Sequence, residues 1–401
     1  MSRSDIASRR QLFKTLLTAV TTLGGGLALS GLGGCTVSQV RRGITTAQQL
    51  SEGDVSKAVS KQVGGQIAAA IPGSGVVGLD SLIQKQINAF IDELFKTWGD
   101  KHIATPKEYV KYTDHYQSRA LIDFASGHIR VETVAEKDSK TALKNAIVST
   151  LLTPDDPTQV DLFSTAAVPA GKTPFLYGLV VDQDKQAVRY AWRANRFADY
   201  LIQHRYRRYK SGGKVRHAVD FDMSSDYQGK QQHRYQNEVL RQARRFKIEP
   251  ALIYGIIQTE SAFNPYAVSS APAYGLMQIV PSTAGRDVHQ LLHNRPGQPS
   301  KNTLFKPASN IEYGTAYLSI LFNRYLAGVK DPKSREYCVI AAYNTGSGNV
   351  LKAFHSDRQS AIAKINRLNS QQVYNHLTKH LAYAEARRYL VKVTQNKRQF
   401  V

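Results

Sequence analysis

The stretch Pro250-Ala-Leu-Ile-Tyr-Gly-Ile-Ile-Gln-Thr-Glu260 decides how the C-terminal half of this chain reads. Pro250 suits the first position of a helix, which needs no amide donor. Leu252, Ile253, Ile256 and Ile257 recur at helical spacing and define a buried stripe. Glu260 stands four residues beyond Ile256 and continues that stripe. A carboxyl on the buried face of a helix end loses hydration, which disfavours its charged form and raises its pKa. Such a group is suited to donate a proton near neutral pH.

Downstream follow Ser261-Ala-Phe-Asn-Pro265, Ser269, Gly275-Leu-Met-Gln278, Ala341-Ala-Tyr-Asn344 and Glu385-Ala-Arg-Arg-Tyr389. Each alone reads as ordinary packing; their shared order carries the information. The set resembles the family 1 lytic transglycosylases, lysozyme-like enzymes that cut the sugar strands of bacterial peptidoglycan. Within them it is most similar to the membrane-bound lytic murein transglycosylase C type. The resemblance covers about Gln232 to Arg398. It implies that Glu260 is the catalytic residue and that Ser261, Ser269, Gln278, Tyr343, Asn344 and Glu385 bind substrate. Ser269 would lie against a sugar. Gln278 would offer its amide to sugar hydroxyls. Tyr343 would place its hydroxyl near the catalytic carboxyl and the bound N-acetyl group, and Glu385 would line the cleft floor. Gly275 is expected to let backbone approach the saccharide. Thr345-Gly-Ser-Gly348 departs slightly from the Ala/Gly-Gly common in relatives but remains a glycine loop.

Most glycosidases use two carboxyl groups. Here Ser261 to Thr283 contains no Asp or Glu, and the next acid is Asp287. The lone carboxylate agrees with the resemblance, which implies one Glu serving both proton transfers and a 1,6-anhydromuramoyl product, with no cofactor and no metal. The alternatives are a hydrolytic goose-type lysozyme and a non-catalytic lipoprotein that binds peptidoglycan.

The front of the chain reads as an address. Ser8-Arg-Arg-Gln-Leu-Phe-Lys14 resembles a twin-arginine export motif, and Leu32-Gly-Gly-Cys35 resembles a lipobox. The six glycines between Gly24 and Gly34 weaken a lone membrane-spanning helix. Residues 1–34 are therefore expected to be a signal peptide and Cys35 to be lipidated. Thr36, rather than Asp, after that cysteine implies the outer membrane, facing the periplasm. Cys338, the only other cysteine, sits in an apolar run and reads as a small buried hydrophobe.

Between anchor and active site, 35–105 reads as a lipidated tether ending in an amphipathic helix, with Ile87, Phe90, Ile91, Leu94 and Phe95 on one stripe. Residues 106–226 read as an α+β accessory domain before a mainly α-helical lysozyme-like catalytic domain over 227–401. In the accessory domain, Leu121–Phe124 and His128–Val134 form one expected hairpin, and Phe175–Val181 with Val188–Trp192 a second. A helix is expected over Arg193–Tyr209 and a last strand over Val215–Asp222. This domain is expected to contribute no catalytic group. In the catalytic domain, Gly285–Phe305 reads as a polar loop.

Lys plus Arg number 53 against 31 Asp plus Glu, a formal charge of +22. That excess favours a polyanionic partner. The densest run, Arg193 to His217, interleaves basic residues with Tyr200, Tyr206 and Tyr209. An exported lipoprotein meets little nucleic acid, so the expected partners are peptidoglycan strands, which carry stem carboxylates, together with anionic envelope lipids and other cell-wall enzymes.

Overall fold

The computed structural model describes residues 89–269 and 273–400. The expected signal peptide, the lipidated Cys35 and the tether through residue 88 lie outside the described residues.

The N-terminal half is built on one antiparallel sheet. Strands β1 (Glu108–Thr113), β2 (Ser118–Asp123) and β3 (His128–Thr133) follow in succession. Helices α1 (Ser139–Leu151) and α2 (Ala191–Arg205) precede β4 (Tyr206–Ser211) and β5 (Lys214–Asp222). The strand order is β1-β2-β3-β5-β4. The register places Tyr109 beside Ile122, Ile122 beside Ile129, and Ile129 beside Phe221. These side chains share one face, since strand residues alternate. Leu143 and Ile147 of α1 and Phe197 and Leu201 of α2 cover it.

The opposite face is closed by the helix over 89–98. Leu94 and Trp98 pack on Val110 and Tyr112. Trp98 is flanked by Arg119, 4.0 Å from the ring centre, and by Arg216 at 5.4 Å. Both guanidinium groups are buried and reach Asp100, at 2.7 Å and 2.8 Å, while Arg119 also pairs with Glu132 at 2.6 Å. Buried charges persist only when so compensated. Gly99 adopts a positive φ of 68° and abuts Gly212, where a Cβ would strike the Gly212 carbonyl. Only glycine fits both demands.

Several expectations are corrected. No hairpin spans Phe175–Trp192: Phe175–Tyr190 is a series of turns with isolated bridges, and Trp192 already lies in α2. The carboxylate of Asp182 takes the amides of Asp184 and Gln186 at 3.0 Å and 2.9 Å and the guanidinium of Arg193 at 2.5 Å. Those bonds close a turn and remove donors a strand ladder would use. The helix expected to reach Tyr209 stops at Arg205, and Tyr206–Ser211 becomes an edge strand. The basic run is thereby split: Arg216 turns inward to Asp100, and Arg207 pairs with Asp220. β1 had no counterpart in the sequence reading.

The C-terminal half is helical: α3 (Tyr227–Phe246), α4 (Pro250–Glu260), α5 (Arg286–His293), α6 (Lys301–Phe305), α7 (Pro307–Ile320), α8 (Pro332–Thr345), α9 (Ser347–Lys352), α10 (Arg358–Asn366), α11 (Ser370–His380) and α12 (Ala384–Lys397). Gly285–Phe305 is therefore not a plain loop, because α5 and α6 fall within it. Their buried anchors, Val288, Leu304 and Phe305, are too widely spaced to show a periodic stripe in sequence. Cys338 is fully buried in the helical core, and burial pushes its thiol up to about 12. No helix among the described residues is long and apolar enough to cross a membrane.

The two halves share apolar packing. Ala262, Tyr266, Val268 and Phe305, from the helical half, belong to the core of the sheet. Tyr266 is nearly inaccessible, with its ring 5.1 Å from Tyr109 and 5.2 Å from Phe175, and its hydroxyl donates to the Pro154 carbonyl.

Candidate active site

Glu260 is the last residue of α4, whose first position is Pro250. Leu252, Ile253, Ile256 and Ile257 are buried, so the stripe read from sequence is the one that packs. α4 lies against α12. Gly255 touches the Lys397 backbone so closely that a Cβ would sit 3.0 Å from its nitrogen. Asn396 donates to the Thr259 hydroxyl at 2.9 Å. These contacts fix the register between the two helices and leave Glu260 half-buried at the end of α4.

The backbone turns sharply after Glu260. Ala262 and Phe263 both take positive φ, 49° and 64°, and both are buried. Consecutive non-glycine residues in this region are strained, and strain of this kind persists only where packing over-determines it. Asn264 supplies the restraint. Its Oδ1 accepts the Tyr266 amide at 3.0 Å, and its Nδ2 donates to the Pro106 carbonyl of the sheet domain at 3.1 Å.

A half-buried tyrosine, Tyr343, and a buried one, Tyr389, lie within electrostatic reach of the Glu260 carboxylate. Burial first, then the Glu260 charge, then the neighbouring Tyr317, hold the Tyr343 phenol far above its ordinary pKa. Tyr389 is raised by burial, by Glu260 and by Tyr343. Both are neutral donors at any physiological pH. Tyr343 donates to the Met277 carbonyl at 2.9 Å, which ties the Gly275–Gln278 turn to the carboxyl. Tyr389 was quoted in the sequence motif but given no role. The signal was present: Glu385 and Tyr389 stand four apart on α12, and Asn396, seven further on, meets Thr259 of α4.

The Gly275–Gln278 turn is held from below. Tyr274 and Ile279 exchange amide bonds of 3.2 Å. Asn310, fully buried, accepts the Met277 amide at 2.7 Å and donates to the Tyr274 and Leu304 carbonyls at 2.7 Å and 2.8 Å. Gly275 has φ 73°, and a Cβ there would meet Asn310 Nδ2 at 2.4 Å. The close approach at Gly275 is thus to Asn310, a residue the sequence reading missed. Gln278 spends its amide hydrogens on Gly275 O at 2.9 Å and Ala267 O at 3.2 Å. Its Oε1 has no partner among the described residues.

The remaining expected contacts divide. Asn344 Nδ2 reaches Glu385 Oε1 at 3.4 Å, so these two meet across α8 and α12. Ser269 is half-buried, and its amide is bonded to Ala273 O at 3.2 Å. Ser261 is fully buried, its hydroxyl 2.8 Å from Leu276 O and 3.1 Å from Ile257 O. It joins the end of α4 to the Gly275–Gln278 turn and presents no accessible atom to a ligand. Among the described residues no group of His, Cys, Asp and Glu is arranged to hold a metal ion.

Residues 77–234 match the family described as membrane-bound lytic murein transglycosylase C, N-terminal domain, and residues 238–366 match the transglycosylase SLT domain. The membrane-bound lytic murein transglycosylase C of Yersinia enterocolitica is 46% identical over 314 residues, 78% of this chain and 87% of that protein. Its counterpart in Serratia proteamaculans is 45% identical over the same shares. Among solved structures, the 70 kDa soluble lytic transglycosylase of Escherichia coli is 25% identical, with a TM-score of 0.32 over 41% of this chain and 24% of that one.

Proposed function

This chain belongs to the membrane-bound lytic murein transglycosylase C family and is a peptidoglycan lytic transglycosylase, and we propose that Glu260 performs both of its proton transfers. The observation that carries the assignment is the Glu260 carboxyl at the end of α4, within electrostatic reach of Tyr343 and Tyr389, in a segment with no second acid before Asp287. In the first step Glu260 donates its proton to the oxygen joining N-acetylmuramic acid to N-acetylglucosamine, and the bond from that oxygen to the anomeric carbon breaks. The substrate's own N-acetyl oxygen stabilises the cationic carbon. Glu260, now a carboxylate, takes the proton of the muramoyl 6-hydroxyl while that oxygen attacks the anomeric carbon. The acid is regenerated and no water is consumed. Gln278, whose amide is spent inside the turn and whose Oε1 is buried, shapes the turn, and Ser269, Asn344 and Glu385 are the substrate contacts.

Mass spectrometry of muropeptides released from purified sacculi tests this. The expected products end in anhydromuramoyl groups, lighter by one water than reducing ends. Reducing ends would make the protein a hydrolase, and absence of products a binder.

The two tyrosines are expected to separate. Tyr389→Phe removes the hydroxyl within electrostatic reach of Glu260 and lowers turnover roughly tenfold, with little change in sacculus binding. Tyr343→Phe also loses its bond to Met277 O, and so costs about 1 kcal/mol of stability besides turnover. Thermal melts alongside turnover and sedimentation check both. Equal losses of binding and turnover would make them packing residues.

Relatives named membrane-bound support membrane association. We propose that lipid on Cys35 supplies it, at the outer membrane and facing the periplasm. Lipid chains in combination anchor firmly where one alone is marginal. Cys35→Ser is expected in the soluble fraction with its chemistry intact. Retention through a carbonate wash would place the anchor elsewhere.

A further inference from the structure

The turns over Phe175–Tyr190 and the start of α2 carry an exposed aromatic surface. Five large apolar side chains are exposed among the described residues, and three of them stand here: Tyr177 at 37%, Tyr190 at 57% and Trp192 at 57%. Each ring has a guanidinium against it. Arg189 lies 5.5 Å from the ring centres of both Tyr177 and Tyr190, which joins those two rings into one surface. Arg193 lies 4.5 Å from the Trp192 ring. Single exposed apolar residues are ordinary, but a group of them marks a binding surface.

The backbone beneath these rings is fixed. Arg193 reaches the Asp182 carboxylate at 2.5 Å and Arg196 reaches Asp184 at 2.5 Å, so the turns that bear Tyr177 are tied to the helix that bears Trp192. Arg234 of α3 donates to the Phe175 and Tyr177 carbonyls at 2.7 Å and 2.8 Å. The Tyr190 carbonyl accepts the Ala194 amide at 3.0 Å, where α2 begins. Phe175, two residues before Tyr177, packs 5.2 Å from Tyr266, in the segment just behind Glu260. The rings therefore keep a set distance from Glu260, and little freedom is lost when a ligand covers them.

A ring face beside a fixed cation matches a pyranose. The C–H groups of a sugar form an apolar face that buries against an aromatic ring. The neighbouring guanidinium N–H groups can donate to hydroxyl and N-acetyl oxygens. The polymer cut by this family offers both. A lipid surface matches less well, although Trp, Tyr and Arg also occur at membrane interfaces. Insertion needs further apolar side chains, and the same turn instead exposes Asp184, Lys185 and Gln186. The carboxylates of Asp182 and Asp184 also offset Arg193 and Arg196, which weakens attraction to anionic headgroups.

We propose that Tyr177, Tyr190 and Trp192, with Arg189 and Arg193, form a platform that binds sugar rings of a peptidoglycan strand at positions beyond the bond being cut. The platform does not depend on which group is the acid. A strand long enough to reach both places is held twice, and the second contact is favoured by effective concentration.

The test measures KM and kcat of the full chain on two soluble, peptide-free substrates: long glycan strands, and a tetrasaccharide that fills only the positions next to the cut. Trp192→Ala and Tyr190→Ala are each expected to raise KM on long strands roughly tenfold, as when an aromatic ring no longer buries apolar surface. kcat should change by much less, and KM on the tetrasaccharide should stay at the parent value. Trp192→Phe should keep most of the affinity, and Arg189→Gln should raise KM on long strands by a smaller factor. Equal rises on both substrates would mean that the substitutions disturb the cleft, and no rise on long strands would mean that the rings bind no sugar; either result overturns the platform. Flotation of the Cys35→Ser chain with vesicles of phosphatidylethanolamine and phosphatidylglycerol separates the membrane reading. Aromatic variants that lose vesicle binding yet keep the parent KM on long strands would overturn the glycan platform in favour of a lipid contact. The exposed side chains should leave the melting temperature unchanged, and if Tyr190→Ala frays the start of α2, Trp192→Ala carries the test.

Discussion

Glu260→Gln is expected to fold and melt like the parent and to leave sacculi essentially uncut. The amide is nearly the same size, so the contacts between α4 and α12, such as that of Asn396 with Thr259, are kept. It cannot give a proton to the leaving oxygen, nor take one from the 6-hydroxyl. General acid–base catalysis is worth about 10²–10⁴-fold per group, and here one group serves two steps. Release of soluble anhydromuropeptides should fall at least a hundredfold at unchanged melting temperature. A folded variant that solubilises sacculi at more than about a tenth of the parent rate would remove Glu260 from the chemistry.

A fragment starting near Gln232 is expected to lose cleavage of soluble glycan as well as of sacculi. The sequence assigns the sheet domain no catalytic group, and the structure makes it the support of the segment behind Glu260. Truncation removes the partners of Tyr266, Ala262, Val268 and Phe305, all buried in the sheet's core. It also breaks the bonds of Asn264 to Pro106, Tyr266 to Pro154, and Arg234 to the carbonyls of Phe175 and Tyr177. A buried aromatic side chain contributes about 2–3 kcal/mol and each hydrogen bond about 1 kcal/mol. The total is a large part of the stability of an ordinary domain. The loss falls on Ser261–Val268, the segment that holds two residues at positive φ directly behind Glu260. Without its restraint that turn relaxes and carries the carboxyl with it. Activity on soluble glycan should drop about a hundredfold or more, with weakened protection of Ala262–Val268 in hydrogen exchange. A fragment keeping more than about a tenth of the parent rate on soluble strands would show that the helical half builds the cleft alone.

The sequence by itself determined what is local. The stripe of α4, its proline start and its terminal Glu260 are all read within a dozen residues, since helical periodicity repeats every few positions. The same holds for the β2–β3 hairpin and for the order of motifs that marks the family. Periodicity was misleading where side chains override the backbone, as at Asp182, whose carboxylate closes a turn inside an apparent hairpin. It was silent where short helices are pinned by single buried residues, as in α5 and α6. Tertiary structure alone decided how distant segments meet. It spent the Ser261 hydroxyl on the framework, made Asn310 the clip under Gly275, and brought Tyr389 within electrostatic reach of Glu260. It also folded Arg216 into a buried ion cluster and tied Asn264 to Pro106 of the sheet domain. Each of those long-range contacts joins residues between 15 and 158 positions apart, at a range where no sequence period reaches and only the packing of one core against another sets the distance.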